Sequence, residues 1–308
     1  MSDRPPKRIG ILGDGHMATE EMKIVAEFSE LRLTSIAYHN NMDFWTSRLQ
    51  SEANKQRCEA LPTPHFSQRD TVDRLRAAEP DLILSVNNSD IIREDLLAIP
   101  ADGIINFHNG PLPQYRGVNI PSWAIINGEK MHSISWHFVD DGVDTGPVAL
   151  TAPLRIENDE TAISLIAKCI QKGLETLPTL LDLYSRNRLC AEPQHGHAHY
   201  YAMKDSPNDG RIDLSWSCSR ITSMVRGLTF RPYPNTFVYP KIAIGNRWFG
   251  VGHAEQVDAP STGPGDQENH IIAVDDNGLV ASASDGLVRL SYFMDDMGDE
   301  ISIEEIRQ

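Results

Sequence analysis

The chain is organised around the segment Ile105-Asn106-Phe107-His108-Asn109-Gly110-Pro111-Leu112-Pro113-Gln114-Tyr115-Arg116-Gly117. The apolar residues just before it follow soon after the apolar run Leu82-Ile83-Leu84, and this pattern is typical of core strands in a parallel sheet. Asn106 and His108 therefore fall at the carboxyl end of a strand, where open α/β sheets bind ligands. Because side chains alternate along a strand, both are predicted to point to one face and Phe107 to the other.

A second segment, Val139-Asp140-Asp141-Gly142-Val143-Asp144-Thr145-Gly146-Pro147, reads as a turn-rich loop. Its glycines allow the backbone to approach a ligand closely, and Asp144 is a carboxylate that the loop can bring to Asn106 and His108. An amide, an imidazole and a carboxylate can together perform acyl transfer. Each residue alone also suits a structural role, as a cap, a core histidine or an Asx turn.

The two segments resemble the formyltransferases that use 10-formyltetrahydrofolate. That family has an Asn-x-His motif followed by Leu-Pro-x-x-Arg-Gly, and a later Asp-x-Gly-x-Asp-x-Gly loop that carries a catalytic Asp. Asn106, His108, Leu112-Pro113, Arg116-Gly117 and Asp144 fit this pattern. The chain departs from the family at Gly110, where the usual residue is Ser.

The resemblance implies a set of site residues. Asn106, His108 and Asp144 are expected to be catalytic, with 10-formyltetrahydrofolate as the co-substrate. For the donor it implies contacts with two loops, namely Val86, Asn87, Asn88, Ser89, Asp90 and Ile91, and Val139, Asp140, Asp141 and Gly142. The first loop could equally consist of ordinary helix caps. For the acceptor we expect contacts with Asn109, Gly110, Tyr115, Arg116 and Gly117, with Arg116 either contacting an acidic group or holding the loop.

The composition bounds the class of protein. With 308 residues, 40% hydrophobic and 23% charged, the chain can bury a full core and is expected to be a globular cytoplasmic protein. Its apolar runs are shorter than a membrane span, and the residues that follow the basic amino terminus read as a strand rather than as a signal peptide. The four cysteines are scattered, which predicts free thiols and neither disulfides nor a zinc site.

The order of elements predicts an α/β fold. A Rossmann-like parallel-sheet formyltransferase domain is expected over residues 1–190, a linker over 191–204, and a small OB-like β domain over 205–308. Helices are predicted at 19–28, 44–61, 71–78, 121–127 and 161–183, and strands at 8–13, 33–38, 82–85, 133–138 and 151–156. Turns at Asp276-Asn277-Gly278 and Asp285-Gly286 separate hairpin strands near the end of the chain. The barrel itself is implied by the resemblance to methionyl-tRNA formyltransferases.

Two further patterns offer other ligands. The turn from Gly13 to Ala18 matches the dinucleotide fingerprint, but His39-Asn40 stands where an acidic residue would bind the ribose, so a plain tight turn is favoured over NAD binding. His195, His197 and His199 alternate as metal ligands on a strand could. Without a cysteine or a fixed carboxylate to complete the set, a solvated linker without metal is favoured. His137 is interpreted as structural.

Net charge separates the candidate acceptors. The chain carries a formal charge of −15, and residues 200–308 contain nine Lys and Arg against 16 Asp and Glu. Binding many phosphates requires a basic surface, so we expect no nucleic-acid partner and favour a small-molecule amine, namely an amino sugar or an amino-acid-like building block of a biosynthetic pathway. Methionyl-tRNA formylation and a non-catalytic ligand-binding relative are the alternatives. The second domain is then expected to serve packing or homodimer formation.

Overall fold

The computed structural model describes residues 5–40, 44–235, 237–258, 271–295 and 298–307. The chain divides into two compact units. The first comprises Met1–Gly117, Ser133–Leu154 and Lys168–Tyr200, and the second comprises Val118–His132, Arg155–Ala167 and Tyr201–Gln308. The boundaries predicted from the sequence, at residues 190 and 205, stay a prediction.

The elements alternate between strand and helix through the first half of the chain. In order they are β1 (Lys7–Gly13), α1 (Gly15–Ala26), β2 (Leu31–His39), α2 (Phe44–Gln56), β3 (Glu59–Thr63), α3 (Arg69–Ala77), β4 (Leu82–Val86), α4 (Glu94–Leu97), β5 (Ile104–His108), β6 (Arg116–Gly117), α5 (Ile120–Ile126), β7 (Met131–Phe138), β8 (Val148–Arg155) and α6 (Ala162–Ser185). There follow β9 (Tyr200–Tyr201), a short 3₁₀ helix (Pro207–Gly210), α7 (Cys218–Gly227), β10 (Lys241–Ile244), β11 (Arg247–Val257), β12 (Ile271–Asp275), β13 (Gly278–Ala283), β14 (Gly286–Met294) and α8 (Ile303–Arg307).

A seven-stranded sheet forms the first unit, in the order β3-β2-β1-β4-β5-β7-β8. The pairs from β3 to β5 are parallel, as predicted, whereas β7 runs antiparallel to β5. In that pair Asn106 lies opposite His137, and His108 lies opposite Ser135. Directly opposed residues of an antiparallel pair share a face of the sheet. The register thus places a second imidazole beside the Asn-x-His motif.

The two faces of β5 have different environments. The ring of Phe107 lies 5.2 Å from that of Trp136, on the face opposite Asn106 and His108. It also contacts α6 at Gly173, where a Cβ atom would lie 2.6 Å from the Phe107 ring. The centre of the sheet is mostly apolar, and its buried residues include Ile9, Ile11, Leu12, Ile83, Leu84 and Ile105. Packing on one face therefore fixes the strand that presents the polar residues on the other.

The helix predicted over 44–61 is wrong at its carboxyl end. The helix α2 ends at Gln56, Arg57 takes a left-handed conformation with φ of 56°, and residues 59–63 form the strand β3. The left-handed Arg57 ends the helix, and Pro62 disfavours a helical conformation at Leu61, the residue before it. Strand β3 lies at the edge of the sheet, where a proline is tolerated.

The second unit is built on a five-stranded antiparallel sheet in the order β10-β11-β14-β13-β12. Tight turns join β12 to β13 and β13 to β14 at the two predicted positions. Helix α7 packs on this sheet, and the core includes Ile221, Val225, Phe249, Val251, Leu279, Val288 and Leu290. The five-stranded sheet forms an antiparallel half-barrel, which confirms the OB-like class predicted for this domain.

All four cysteines are free thiols, as the sequence predicts. Among the helices of the described ranges, none combines the length and the apolar composition of a membrane span.

Candidate active site

Asn106 and His137 contact each other across β5 and β7. Nδ2 of Asn106 lies 3.2 Å from Nε2 of His137, and Nδ1 of His137 lies 2.9 Å from the carbonyl oxygen of Phe138. A carbonyl oxygen only accepts, so the neutral ring carries its hydrogen on Nδ1. Nε2 then accepts from the Asn106 amide, which keeps one N–H for another acceptor. The structure therefore places His137, interpreted as structural from the sequence, within the candidate site.

His108 is buried, with 5% of its side chain exposed. Its Nε2 lies 2.6 Å from the carbonyl oxygen of Tyr115 and must donate to it, which leaves Nδ1 as the basic nitrogen of the neutral ring. Burial lowers the pKa of His108, although the nearby Asp144 carboxylate opposes this effect. His108 is therefore a neutral base at physiological pH, with its free lone pair beside a carboxylate.

Asp144 lies between the two imidazoles. Its Oδ2 is 3.5 Å from Nδ1 of His108 and accepts the N–H of Gly117 at 2.8 Å, while its Oδ1 is 3.4 Å from Nε2 of His137. Burial alone would raise its pKa, but His108, His137 and the Gly117 N–H outweigh burial and lower the pKa of Asp144 to about 2. The residue is therefore ionised throughout the physiological range. The amide, the imidazole and the carboxylate predicted from the sequence do lie together.

The loop that carries Asp144 is held by its own side chains. Asp140 accepts hydrogen bonds from the Gly142 N–H and from the Thr145 hydroxyl. A Cβ atom at Gly146 would lie 1.9 Å from the carbonyl oxygen of Phe138, so only glycine fits at this position. Asp144 itself adopts a left-handed backbone conformation with φ of 53°. This conformation turns its carboxylate toward His108.

Gln194 contacts this loop from a distant part of the chain. Its Nε2 donates to the carbonyl oxygens of Asp144 and Gly146, both at 2.8 Å. Its Oε1 accepts from Nε and Nη2 of Arg116, at 3.1 and 2.7 Å. Gln194 is not among the site residues predicted from the sequence, because it lies in the segment 191–204 that was predicted to be a linker.

The predicted donor-binding residues divide into a structural and an accessible group. Asn88 donates to the Ser85 hydroxyl and accepts the Asp90 N–H, and Asp90, which also lines a cavity, accepts the Phe66 N–H. The N–H of Val139 donates to the carbonyl oxygen of Ile104, and Val86 is buried in β4. Two cavities, of about 640 and 540 Å³, adjoin the first loop. Their linings include Asn87, Ser89, Asp90 and Ile91. In the second loop Asp141 and Gly142 are exposed.

Most of the predicted acceptor-binding residues make contacts inside the protein. The backbones of Tyr115 and Gly117 bond His108 and Asp144, and the carbonyl oxygen of Gly110 accepts from the Ser135 hydroxyl at 2.8 Å. Arg116 bonds Gln194, which corresponds to the alternative in which it holds the loop. Asn109, which is half-buried, directly follows His108.

The remaining sequence patterns have structural explanations. A Cβ atom at Gly13 would lie 2.2 Å from the carbonyl oxygen of Val86, so glycine permits close packing of β1 on β4. Asp14 accepts the His39 N–H at 2.8 Å and contacts Nδ1 of that ring. Within the described ranges, which include His195, His197 and His199, no three His, Cys, Asp or Glu side chains are grouped so that they could hold a metal ion.

Comparison with known families agrees with this geometry. The formyl transferase model matches residues 29–181, and the model of the formyl transferase C-terminal domain matches residues 204–308. The chain belongs to the formyl transferase family. It is a formyltransferase, which confirms the class of enzyme predicted from the Asn-x-His motif and the Asp144 loop.

Two relatives of this formyltransferase are methionyl-tRNA formyltransferases. That of Ruminiclostridium cellulolyticum is 30% identical over 249 residues, which are 80% of this chain and 75% of the relative. That of Acetivibrio thermocellus is 32% identical over 260 residues, which are 82% of this chain and 79% of the relative.

Solved structures share the fold of this formyltransferase. WlaRD, a sugar 3N-formyl transferase determined in the presence of dTDP and 5-N-formyl-THF, superposes with a TM-score of 0.70 at 17% identity and covers 92% of this chain and 97% of its own. An N-formyltransferase from Helicobacter canadensis, in complex with folinic acid and dTDP-3-aminofucose, gives a TM-score of 0.69 at 16% identity and covers 92% and 98%. At these identities the likeness establishes the two-domain fold.

Proposed function

We propose that the protein transfers a formyl group from 10-formyltetrahydrofolate to the amine of a small metabolite, an amino sugar or an amino-acid-like building block of a biosynthetic pathway. The observation that carries this proposal is the position of Asp144 between His108 and His137, beside the amide of Asn106. Formyl transfer to an amine requires a base, a donor for the developing oxyanion and a proton for the leaving nitrogen.

In the proposed reaction the amine attacks the formyl carbon, and the carbonyl oxygen becomes an oxyanion. Nδ1 of His108 takes the proton that the amine loses, because Tyr115 holds the ring in the tautomer with that lone pair free. Asp144 stabilises the imidazolium that results. The second N–H of Asn106 donates to the oxyanion, where loss of one such donor costs about 3 kcal/mol of transition-state stabilisation. The carbon–N10 bond then breaks and N10 receives the proton.

Support for the folate donor comes from the family and from the loop after β4. Both WlaRD and the Helicobacter canadensis enzyme were determined with a formylated folate. In this chain Asn87, Ser89 and Ile91 adjoin cavities whose sizes are typical of small-molecule sites, although the linings of these cavities do not include the proposed catalytic residues. We assign these residues, together with Asp141 and Gly142, to the donor.

Support for a small acceptor comes from charge. With 28 basic against 43 acidic residues, the protein lacks the excess of Lys and Arg that phosphate binding requires. Residues 40–50, between β2 and the middle of α2, contain one basic residue, Arg48. A small amine meets no such repulsion.

Methionyl-tRNA formylation is the second candidate, because the relatives of Ruminiclostridium cellulolyticum and Acetivibrio thermocellus bear that name. The two candidates share the donor and the catalytic residues and differ only in the acceptor. The third alternative drawn from the sequence, a non-catalytic relative, conflicts with membership of the formyltransferase family. The connected cluster of Asn106, His137, Asp144 and His108 also argues against it.

Tetrahydrofolate release tests the proposal. The purified protein is incubated with 10-formyltetrahydrofolate and a panel of amino sugars and amino acids, and the products are identified by the mass of the added formyl group. We expect amine-dependent release that His108→Ala abolishes. Full turnover by that variant would contradict the proposed function, and so would the failure of every amine in the panel to cause release of tetrahydrofolate.

A further inference from the structure

The side-chain amide of Gln194 uses its whole hydrogen-bonding capacity on two segments of the candidate site. Its two N–H groups donate to the carbonyl oxygens of Asp144 and Gly146, and its oxygen accepts twice from the Arg116 guanidinium. A primary amide has two donors and an oxygen with two lone pairs, so no part of the group remains free. A surface residue of a linker would not be expected to show this pattern.

We propose that Gln194 is a positioning residue that sets the direction of the Asp144 carboxylate. The inference rests on the proposed function, in which Asp144 stabilises the protonated form of His108. It assigns to the segment 191–204 a part in the reaction that its composition does not indicate.

The backbone of the Asp144 loop shows why such a residue is needed. Asp144 has a φ of 53°, in the left-handed region that residues other than glycine seldom adopt, although Asp and Asn tolerate it best. The two carbonyl oxygens that Gln194 holds belong to Asp144 itself and to Gly146, two residues later. Fixing both carbonyls fixes the orientation of the intervening peptides and hence the direction in which the Asp144 side chain leaves the loop.

The contacts of Arg116 extend the constraint to the other side of the carboxylate. Gly117, the next residue, donates its N–H to Oδ2 of Asp144. The Arg116 N–H donates to the carbonyl oxygen of His199, so the same distant segment holds this backbone as well. Gln194 thus links the loop that carries the carboxylate to the strand that donates to it.

The chemistry of the amide is specific to glutamine. Glutamate would keep the acceptor for Arg116 but would place an anionic oxygen against two carbonyl oxygens. Methionine has a similar length but can neither donate nor accept a strong hydrogen bond. The variants Gln194→Glu and Gln194→Met therefore separate the charge from the length of the side chain. Gln171→Met is the matched control, because Gln171 lies exposed on α6, where its side chain donates to Glu175.

The test combines turnover with amide hydrogen exchange at Gly117. Exchange of the Gly117 N–H reports its bond to Asp144 and does not depend on any substrate. For Gln194→Met we expect faster Gly117 exchange, a fall in kcat on the order of 10²-fold and an unchanged KM for the folate, because small misplacements of a catalytic group have effects of that size. Gln194→Glu should be slower still, and Gln171→Met should behave as the wild type. Asp144→Ala calibrates the exchange expected for a fully lost bond.

The outcomes distinguish the inference from the proposed function. Unchanged exchange and turnover in Gln194→Met would overturn the positioning role and leave the proposed function standing. Faster exchange with wild-type turnover would show that Gln194 holds the loop but that the position of Asp144 does not matter for turnover, which would overturn the positioning role in the reaction. Faster exchange in Gln194→Met, with no formylation of any small amine by the wild type, would overturn the proposed function and leave the contact of Gln194 with the loop standing. A fall in kcat without a change at Gly117 would also overturn the positioning role.

Discussion

Oδ2 of Asp144 lies 3.5 Å from Nδ1 of His108, the nitrogen that the hydrogen bond to Tyr115 leaves without a proton. The carboxylate therefore faces the atom on which a proton arrives during the proposed reaction. An imidazolium formed there would be held by Tyr115 on one side and by Asp144 on the other. This relationship makes the two residues a unit rather than two independent groups.

Replacing Asp144 with Asn should lower kcat by about 10²-fold to 10⁴-fold, because the protonated His108 loses its counter-charge. The pH profile should also change. Asp144 raises the pKa of His108, so the acidic limb of kcat/KM is expected to move to lower pH in the variant. Steady-state kinetics between pH 5 and 8 provide the measurement, with Asp182→Asn on the exposed part of α6 as the control. An acidic limb that moved to higher pH would contradict the assignment.

Asp144 should also make the stability of the protein depend on pH. Its pKa is lowered to about 2 in the folded state, so its contribution is complete above the pKa of the unfolded chain and is lost as the pH falls through the folded value. The contribution amounts to about 2 kcal/mol. Urea unfolding at pH 5 and at pH 3 should show that the wild type loses more free energy of unfolding than Asp144→Asn does. Equal losses would mean that the carboxylate is not stabilised by its neighbours.

Glu21 on α1 should destabilise the folded protein at neutral pH. Its side chain is fully buried, neither oxygen has a hydrogen-bond partner in the described part of the chain, and burial raises its pKa well above the ordinary value. Its contribution to stability is thus present at low pH and is lost as the pH rises above the unfolded pKa. We expect Glu21→Gln to increase the free energy of unfolding at pH 7.5 by more than about 1 kcal/mol and to leave it similar at pH 4. Glu27→Gln, at the exposed end of α1, is the control, and a destabilised Glu21→Gln at pH 7.5 would contradict the prediction.

His137 and Asp144 should be coupled. Nε2 of His137 contacts both Asn106 and Asp144, so His137→Phe removes one contact of each. We expect a reduced kcat in that variant. In the double variant with Asp144→Asn, the loss of transition-state stabilisation calculated from kcat should be smaller than the sum of the two single losses, as for groups that act together. Additive losses in the double-mutant cycle would show that His137 supports the fold rather than the site.

Local patterns were sufficient to predict the parallel strands and part of the cluster of polar side chains in the candidate site. Asn106 and His108 lie two residues apart on one strand, so alternation predicts their common face, and the glycine-rich loop predicts that Asp144 can reach them. The antiparallel β7 could not be predicted this way, because strand pairing is a long-range property that neither strand encodes alone. His137 joined the site only through that pairing.

Gln194 and Glu21 show two other reasons why parts of the structure were not predicted from the sequence. Gln194 acts on a loop 50 residues earlier in the chain, and its neighbours in sequence are typical of a linker. Glu21 lies at helical spacing between Met17 and Val25, so it falls on the buried face of α1, but the helix was predicted from its apolar residues alone and the charge on that face was overlooked. The strand β3 was missed because its apolar residues continued the helical pattern of α2. The left-handed conformation of Arg57 and the proline at position 62 separate the two elements.

The choice of acceptor tests the central claim most directly. One reaction should contain the protein, 10-formyltetrahydrofolate, the amine panel and methionyl-tRNA at physiological salt, and the formyl content of each acceptor should be measured by mass spectrometry. We predict formylation of a free amine that depends on His108 and Asp144, with tRNA formylated more slowly by orders of magnitude because the protein is strongly acidic. Efficient formylation of the tRNA, at a rate that falls steeply as the salt concentration rises, would contradict the account.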